Sequence, residues 1–195
     1  PPDTDVGLLM EGKHPAQTRL AFEELTAHQV SLRIVREQIQ KLQAPVLDSP
    51  SSSYAAIKQS FGFALTGAQQ RVADEVAVDL MKSQPSLRLI QGDVGSGKTV
   101  IAALASVHSF ENNLQTALMS PTELLAEQHF INMSNWLAPL GIKTAWLSGR
   151  VTGKKRVEEL ARILTGDAAV IIGTHALFQK DVEFKNLGLV IVDEQ

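Results

Sequence analysis

The rhythm of apolar positions changes near residue 61. Upstream, a seam runs through Ala21, Leu25, His28, Leu32, Val35, Ile39 and Leu42 at alternating spacings of four and three, which places these side chains on one face of a helix spanning 15–42. Pro15 suits the first turn, where its missing N–H costs nothing, and Pro45 with "DSPSSS" stops the helix and supplies a linker. The seam allows a short coiled coil between copies; packing within this protein is the reading favoured for a single amphipathic helix. Downstream, short apolar runs at 87–91, 116–120, 144–148, 169–173 and 187–193 read as strands. Helical periods at 69–81, 98–110, 122–137 and 154–164 alternate with them. Strands apolar along their whole length, separated by helices, imply an α/β fold with a parallel sheet covered on both faces. The expected division is an α-helical linker segment over 1–60 and an α/β lobe over 61–195, with no internal repeat. In such a sheet, ligands gather at the carboxyl ends of the strands.

Composition narrows the class. The 195 residues are 44% apolar and 20% charged, with a mean hydropathy of +0.01, as in a globular chain with a core. The absence of cysteine excludes disulfides and thiolate metal sites and fits a reducing cytosol. No signal peptide and no apolar run of about 20 residues is present, so no membrane partner is expected. A net charge of −3 requires any contact with nucleic acid to come from a local patch. A start without Met and a stop at "VIVDEQ" read as an excised fragment.

The most specific chemistry lies in "GDVGSGKT", Gly92 to Thr99, which satisfies G-x-x-x-x-G-K-[ST] between an expected strand and an expected helix. Its backbone (Gly92, Asp93, Val94, Gly95, Ser96, Gly97) can turn N–H groups onto phosphate oxygens, aided by the positive end of the following helix. Lys98 is expected on the β- and γ-phosphates, and the Thr99 hydroxyl on Mg²⁺. Downstream, "LVIVDEQ" delivers Asp193 and Glu194 to the carboxyl edge of a strand. There Asp193 would hold the metal, and Glu194 would orient or deprotonate the attacking water. No Asn-Lys-x-Asp element for guanine is present; "FALTGAQQ" instead offers Gln69, whose amide can meet both adenine N6 and N7, and Phe63 as a stacking ring. Taken alone, the same stretch also reads as a helix start capped by Thr66.

Several of these segments occur in the order seen in superfamily 2 helicases, and the chain resembles the bacterial ATP-dependent DNA helicases that act on branched DNA. The carrying residues are "LTGAQQ", "GDVGSGKT", "SPTELLAEQH" (120–129), "IIGTHALFQ" (171–179) and "VDEQ". "HPAQTRLAFEELTAHQ" (14–29) resembles the segment that joins the fork-binding wedge domain of those enzymes to their motor. The resemblance implies a P-loop NTPase lobe of RecA-like fold using ATP and Mg²⁺ and a forked or branched double-stranded DNA partner. It further implies a monomer in the cytoplasm near the nucleoid. Gln69 would read adenine, and Thr122, Gly173 and Thr174 would face the DNA backbone. A wedge domain and a second RecA-like lobe, which carries an arginine finger in the family, would lie outside this stretch, leaving it inactive alone.

A nucleic-acid face also follows from the residues. "SGRVTGKKR" sets Arg150, Lys154, Lys155 and Arg156 with two glycines after a strand, a cationic loop without aromatics that suits phosphate contact rather than base stacking. Thr122 opens a helix and can share a phosphate with its first N–H groups. The rival readings are the motor lobe of a transcription-coupled repair translocase, a nucleotide-binding module without catalysis, and a small-molecule kinase, which would need an arginine-bearing lid. The five histidines show no metal-ligand spacing.

Overall fold

The computed structural model describes residues 6–10, 12, 14–93 and 95–193. These divide into two compact units, Pro1–Gln43 and Ala44–Gln195.

The first unit is helical: α1 spans Val6–Met10 and α2 spans Pro15–Gln40. Pro15 occupies the first turn of α2, and the imidazole of His14 caps it by accepting the Ala16 N–H at 3.2 Å. The pairs Arg19–Glu23 and Arg33–Glu37 lie four residues apart on its surface. The seam residues Leu25, Leu32, Val35 and Leu42 are all exposed.

The second unit contains α3 (Ser52–Ser60), α4 (Gly67–Leu80), α5 (Lys98–Glu111), β1 (Gln115–Met119), α6 (Glu123–Leu137), β2 (Thr144–Leu147), α7 (Gly153–Thr165), β3 (Val170–Gly173) and β4 (Leu187–Val192). Its sheet runs β2-β3-β1-β4 with every pairing parallel. Alternation along the strands feeds two cores. Leu118, Val170 and Ile172 join Ile57 of α3, Ala73 of α4, Leu104 of α5 and Met133 of α6, whereas Ala145, Leu147 and Ile171 meet Ile163 of α7. The sheet is therefore covered on both faces, as its near-continuous apolar strands require. Gly173 sits where strands approach closely: a Cβ there would collide with the carbonyl oxygen of Leu147.

Two expectations change. The run 87–91 is not a strand of the sheet. Leu87 and Leu89 are 85% and 83% exposed, while Arg88 between them pairs with Asp79 at 2.5 Å and Glu75 at 2.7 Å, holding the segment on α4 instead of against a strand edge. The Arg88 and Lys82 partners keep the Asp79 carboxyl below its ordinary range. The lobe also begins earlier than residue 61, because α3 buries Tyr54 and Ile57 in the main core. The last turn of α5 pins the segment leading into α3. His108 Nε2 lies 2.6 Å from the Asp48 carbonyl, Asn112 Oδ1 accepts the Asp48 N–H at 2.7 Å, and Glu111 accepts from Ser51 N, Ser51 Oγ and Tyr54 N. Burial pushes Glu111 up, but these bonds outweigh it and hold the carboxyl below its ordinary range. Burial, then the Asp74 charge, raises the Tyr54 phenol to about 12.

Candidate nucleotide and nucleic-acid site

Gly97 adopts φ +85° as the N-cap of α5, a left-handed conformation that glycine reaches without penalty, and a side chain there would run into the Gln69 amide. The turn points Lys98 back along the loop, where Nζ donates to the carbonyls of Gly92 at 2.7 Å and Asp93 at 3.0 Å. Thr99, next on α5, is half-buried. α5, which packs against β1 and β4, ends at Glu111 and turns directly into β1 at Gln115, so it runs back along the sheet and its first turn lies toward the carboxyl edge, as does the residue after β4. That residue is Asp193, whose backbone N–H donates to Met119 O at 2.8 Å. Val94 and Glu194 lie outside the described residues.

Gln69 takes part in the helix start that the sequence also allows. It completes a capping box with Thr66: Oε1 accepts the Thr66 N–H at 2.8 Å, and Thr66 Oγ1 accepts the Gln69 N–H at 3.2 Å. Its Nε2 also donates to the Ser96 carbonyl at 2.9 Å, which joins α4 to the phosphate loop. Phe63 lies half-exposed, stacked on Phe61 with centroids 5.7 Å apart.

The expected nucleic-acid residues separate into two groups. Thr122 caps α6 by accepting the Leu125 N–H at 3.3 Å, and Arg150 pairs with Glu123 at 2.5 Å. Lys154 and Lys155 are exposed but stand on the first turn of α7 rather than in a flexible loop. Arg156 is committed elsewhere: it binds Asp181 and Gln179, and its side chain is only 16% exposed. Gly173 and Thr174 are buried, Thr174 at 2% exposure, so these side positions do not present themselves to a polymer backbone. The hydroxyls of Ser120 and Thr174, at the carboxyl ends of β1 and β3, are buried without partners among the described residues.

One contact at this edge has no signal in the sequence. His129 Nε2 lies 2.6 Å from Asp193 Oδ2, joining α6 to the end of β4 across sixty-four positions. His129 stands inside "SPTELLAEQH", but only the fold brings it to the carboxylate.

The model of DEAD/DEAH box helicases matches residues 66–195. The chain belongs to the DEAD/DEAH box helicase family. The chain is 49% identical over 195 residues to the ATP-dependent DNA helicase RecG of Haemophilus influenzae, and 46% identical over 195 residues to that of Escherichia coli K12. It is 38% identical over 195 residues to RecG of Aquifex aeolicus. Each match covers 100% of the chain, and the chain spans 28%, 28% and 25% of these relatives. A solved structure titled as a hypothetical ATP-dependent RNA helicase from Sulfolobus tokodaii superposes with a TM-score of 0.54 over 72% of the chain and 40% of its own, at 19% identity, a likeness of fold. Among the described residues, no helix is long and apolar enough to cross a membrane, and no group of three or more His, Asp or Glu side chains is placed to hold a metal.

Proposed function

We propose that the chain is the ATP-binding lobe of a DNA helicase or translocase that acts on forked or branched duplex DNA. The observation that carries the nucleotide assignment is the Gln69 to Ser96 hydrogen bond, which sets an amide able to pair with adenine against a loop suited to phosphates. The DNA assignment is supported by likeness to the RecG helicases along the whole chain.

In this reading Gly92, Asp93, Val94, Gly95, Ser96 and Gly97 present backbone N–H groups to the phosphates. Lys98 exchanges the Gly92 and Asp93 carbonyls for β- and γ-phosphate oxygens. Phe63 stacks on the base. Thr99 and Asp193 offer the hard oxygen donors that Mg²⁺ prefers, and the small number of protein ligands fits an ion that shares its shell with phosphates and water. Bound there, Mg²⁺ would neutralise charge developing on the phosphates. Glu194 orients the attacking water. Thr122, Arg150, Lys154 and Lys155 form the phosphate-contacting face for DNA, as a monomer.

Because the chain spans 28% of its relatives, we assign the complete activity to the full-length protein. A second lobe and a wedge domain beyond this stretch would supply the remaining half of the cleft and the fork contact. Turnover by the isolated lobe should fall roughly 10³ to 10⁵-fold below that of the full-length protein, the range an arginine finger contributes in related systems. The deciding experiment is steady-state ATPase of the full-length protein with forked, linear duplex and single-stranded DNA. Strongest stimulation by forked DNA is expected; equal stimulation by linear duplex would favour a translocase of the transcription-coupled repair type.

A further inference from the structure

The carboxylate of Asp193 is held from two sides. Its own backbone N–H is fixed on Met119, and Oδ2 lies 2.6 Å from His129 Nε2, with the two side chains only 23% and 13% exposed. An ionised carboxylate can only accept, so Nε2 carries the hydrogen. Nδ1 of the same ring is buried without a partner among the described residues, which suits a bare lone pair and assigns the Nε2–H tautomer. Packing alone is a poor account of this ring. A buried polar nitrogen without a partner is unfavourable, whereas a hydrogen bond to a charged carboxylate is among the stronger ones and offsets it.

His129 belongs to α6, whose first turn bears the Thr122 cap and the Glu123–Arg150 pair. One rigid helix thus carries a residue expected to meet the polymer and a residue bonded to the carboxylate expected to meet the metal. We propose that His129 is a positioning residue: by donating to Oδ2 it sets the rotation of the Asp193 carboxylate, leaving Oδ1 for Mg²⁺ or its water, and ties that orientation to α6. The inference rests on the assignment of Asp193 to the metal made above. It predicts a loss of metal affinity without loss of nucleotide affinity when the donor is removed.

The test uses the full-length protein with His129→Ala, His129→Gln and Asp193→Asn. Mn²⁺ affinity of the ADP-loaded protein is read by electron paramagnetic resonance, ADP affinity is measured in EDTA, and kcat and KM for ATP are measured separately. His129→Ala should weaken Mn²⁺ binding roughly 10 to 100-fold, the usual range for a residue that orients a metal ligand. It should also lower kcat more than it raises KM and leave ADP affinity in EDTA unchanged. His129→Gln, whose amide can still donate to Oδ2, should recover most of the Mn²⁺ affinity. Parent-like Mn²⁺ binding by His129→Ala, with Asp193→Asn weakened, overturns this inference and leaves the metal assignment standing. Parent-like binding by Asp193→Asn overturns the metal assignment itself. Equal weakening by Ala and Gln, or loss of metal-free ADP binding in the histidine variants, shows that the ring only fills space and also overturns the inference.

Discussion

The two halves of the sheet's carboxyl edge are built differently. On the nucleotide side, Gln69, Ser96, Lys98, Asp193 and His129 are bound to one another or to loop carbonyls at 2.6 to 3.0 Å, through contacts that join α4, α5, α6 and β4. On the side proposed for nucleic acid, Lys154 and Lys155 stand in solvent, Lys154 with 92% of its side chain exposed and the Glu158 carboxylate 4.0 Å away. The first half can specify the place of individual atoms. The second can only attract charge, with a strength that salt screens. Under the proposed function, a motor that recognises one nucleotide while passing along many polymer positions would use this inequality: fixed geometry at the nucleotide, tolerant electrostatics along the DNA.

The strongest way to break the contrast is to remove the cation at the centre of the fixed half. Lys98→Ala in the full-length protein should lower kcat by roughly 10² to 10³-fold, the scale of losing one preorganised charge at a reacting centre, with DNA affinity unchanged. Steady-state ATPase and fluorescence-anisotropy titrations measure both quantities, and a surviving ATPase would remove the loop from the mechanism. Next in size is Gly173→Ala, whose Cβ meets the Leu147 carbonyl. It should cost on the order of 3 kcal/mol by overpacking between β2 and β3, read as a shift in urea midpoint at unchanged slope.

Glu111 sharpens the comparison by pH. Its folded carboxyl is held below the ordinary range, so its contribution is complete above that range and is lost as pH falls through the folded value. Glu111→Gln should therefore cost about 1 to 3 kcal/mol at pH 7, and the gap to the parent should close as pH falls below the ordinary carboxylate range. A gap constant down to pH 3 would show that the charge of Glu111 is immaterial. The smallest effects belong to the track. Lys154→Ala or Lys155→Ala should each reduce the slope of log affinity for DNA against log salt by about 1, whereas Arg156→Ala, with its guanidinium on Asp181 and Gln179, should leave that slope unchanged.

Much of the nucleotide half was legible because its information is local. The glycines of 92–97 turn the chain, Thr66 and Gln69 cap the helix they begin, and the apolar run before Asp193 forms a strand; each depends on neighbours within a few positions. The cationic side was read less well, because a cluster of charges does not say which members are already paired. Arg156 is paired to Asp181, twenty-five positions away. Thr174 is covered by the fold, and no neighbouring residue announces it. The run 87–91 has the composition of a strand, but Arg88 in its middle finds Glu75 and Asp79 on α4. The contact of His129 with Asp193 was invisible for the same reason: its partner is sixty-four positions downstream.

The anchorage of residues 48–54 by the last turn of α5 determines where the chain tolerates cutting. Removing everything before Ala44 takes away a helical unit with its own internal contacts and leaves the hydrogen bonds of Asp48, Ser51 and Tyr54 in place. Cutting only a few residues later, after Tyr54, would strip the partners from Glu111 and His108 and uncover the core around Ile57. A protease digesting the native protein should therefore stop near residue 44, and the trimmed product should begin with the anchored segment before α3 rather than with the first helix that sequence periodicity assigns to the lobe.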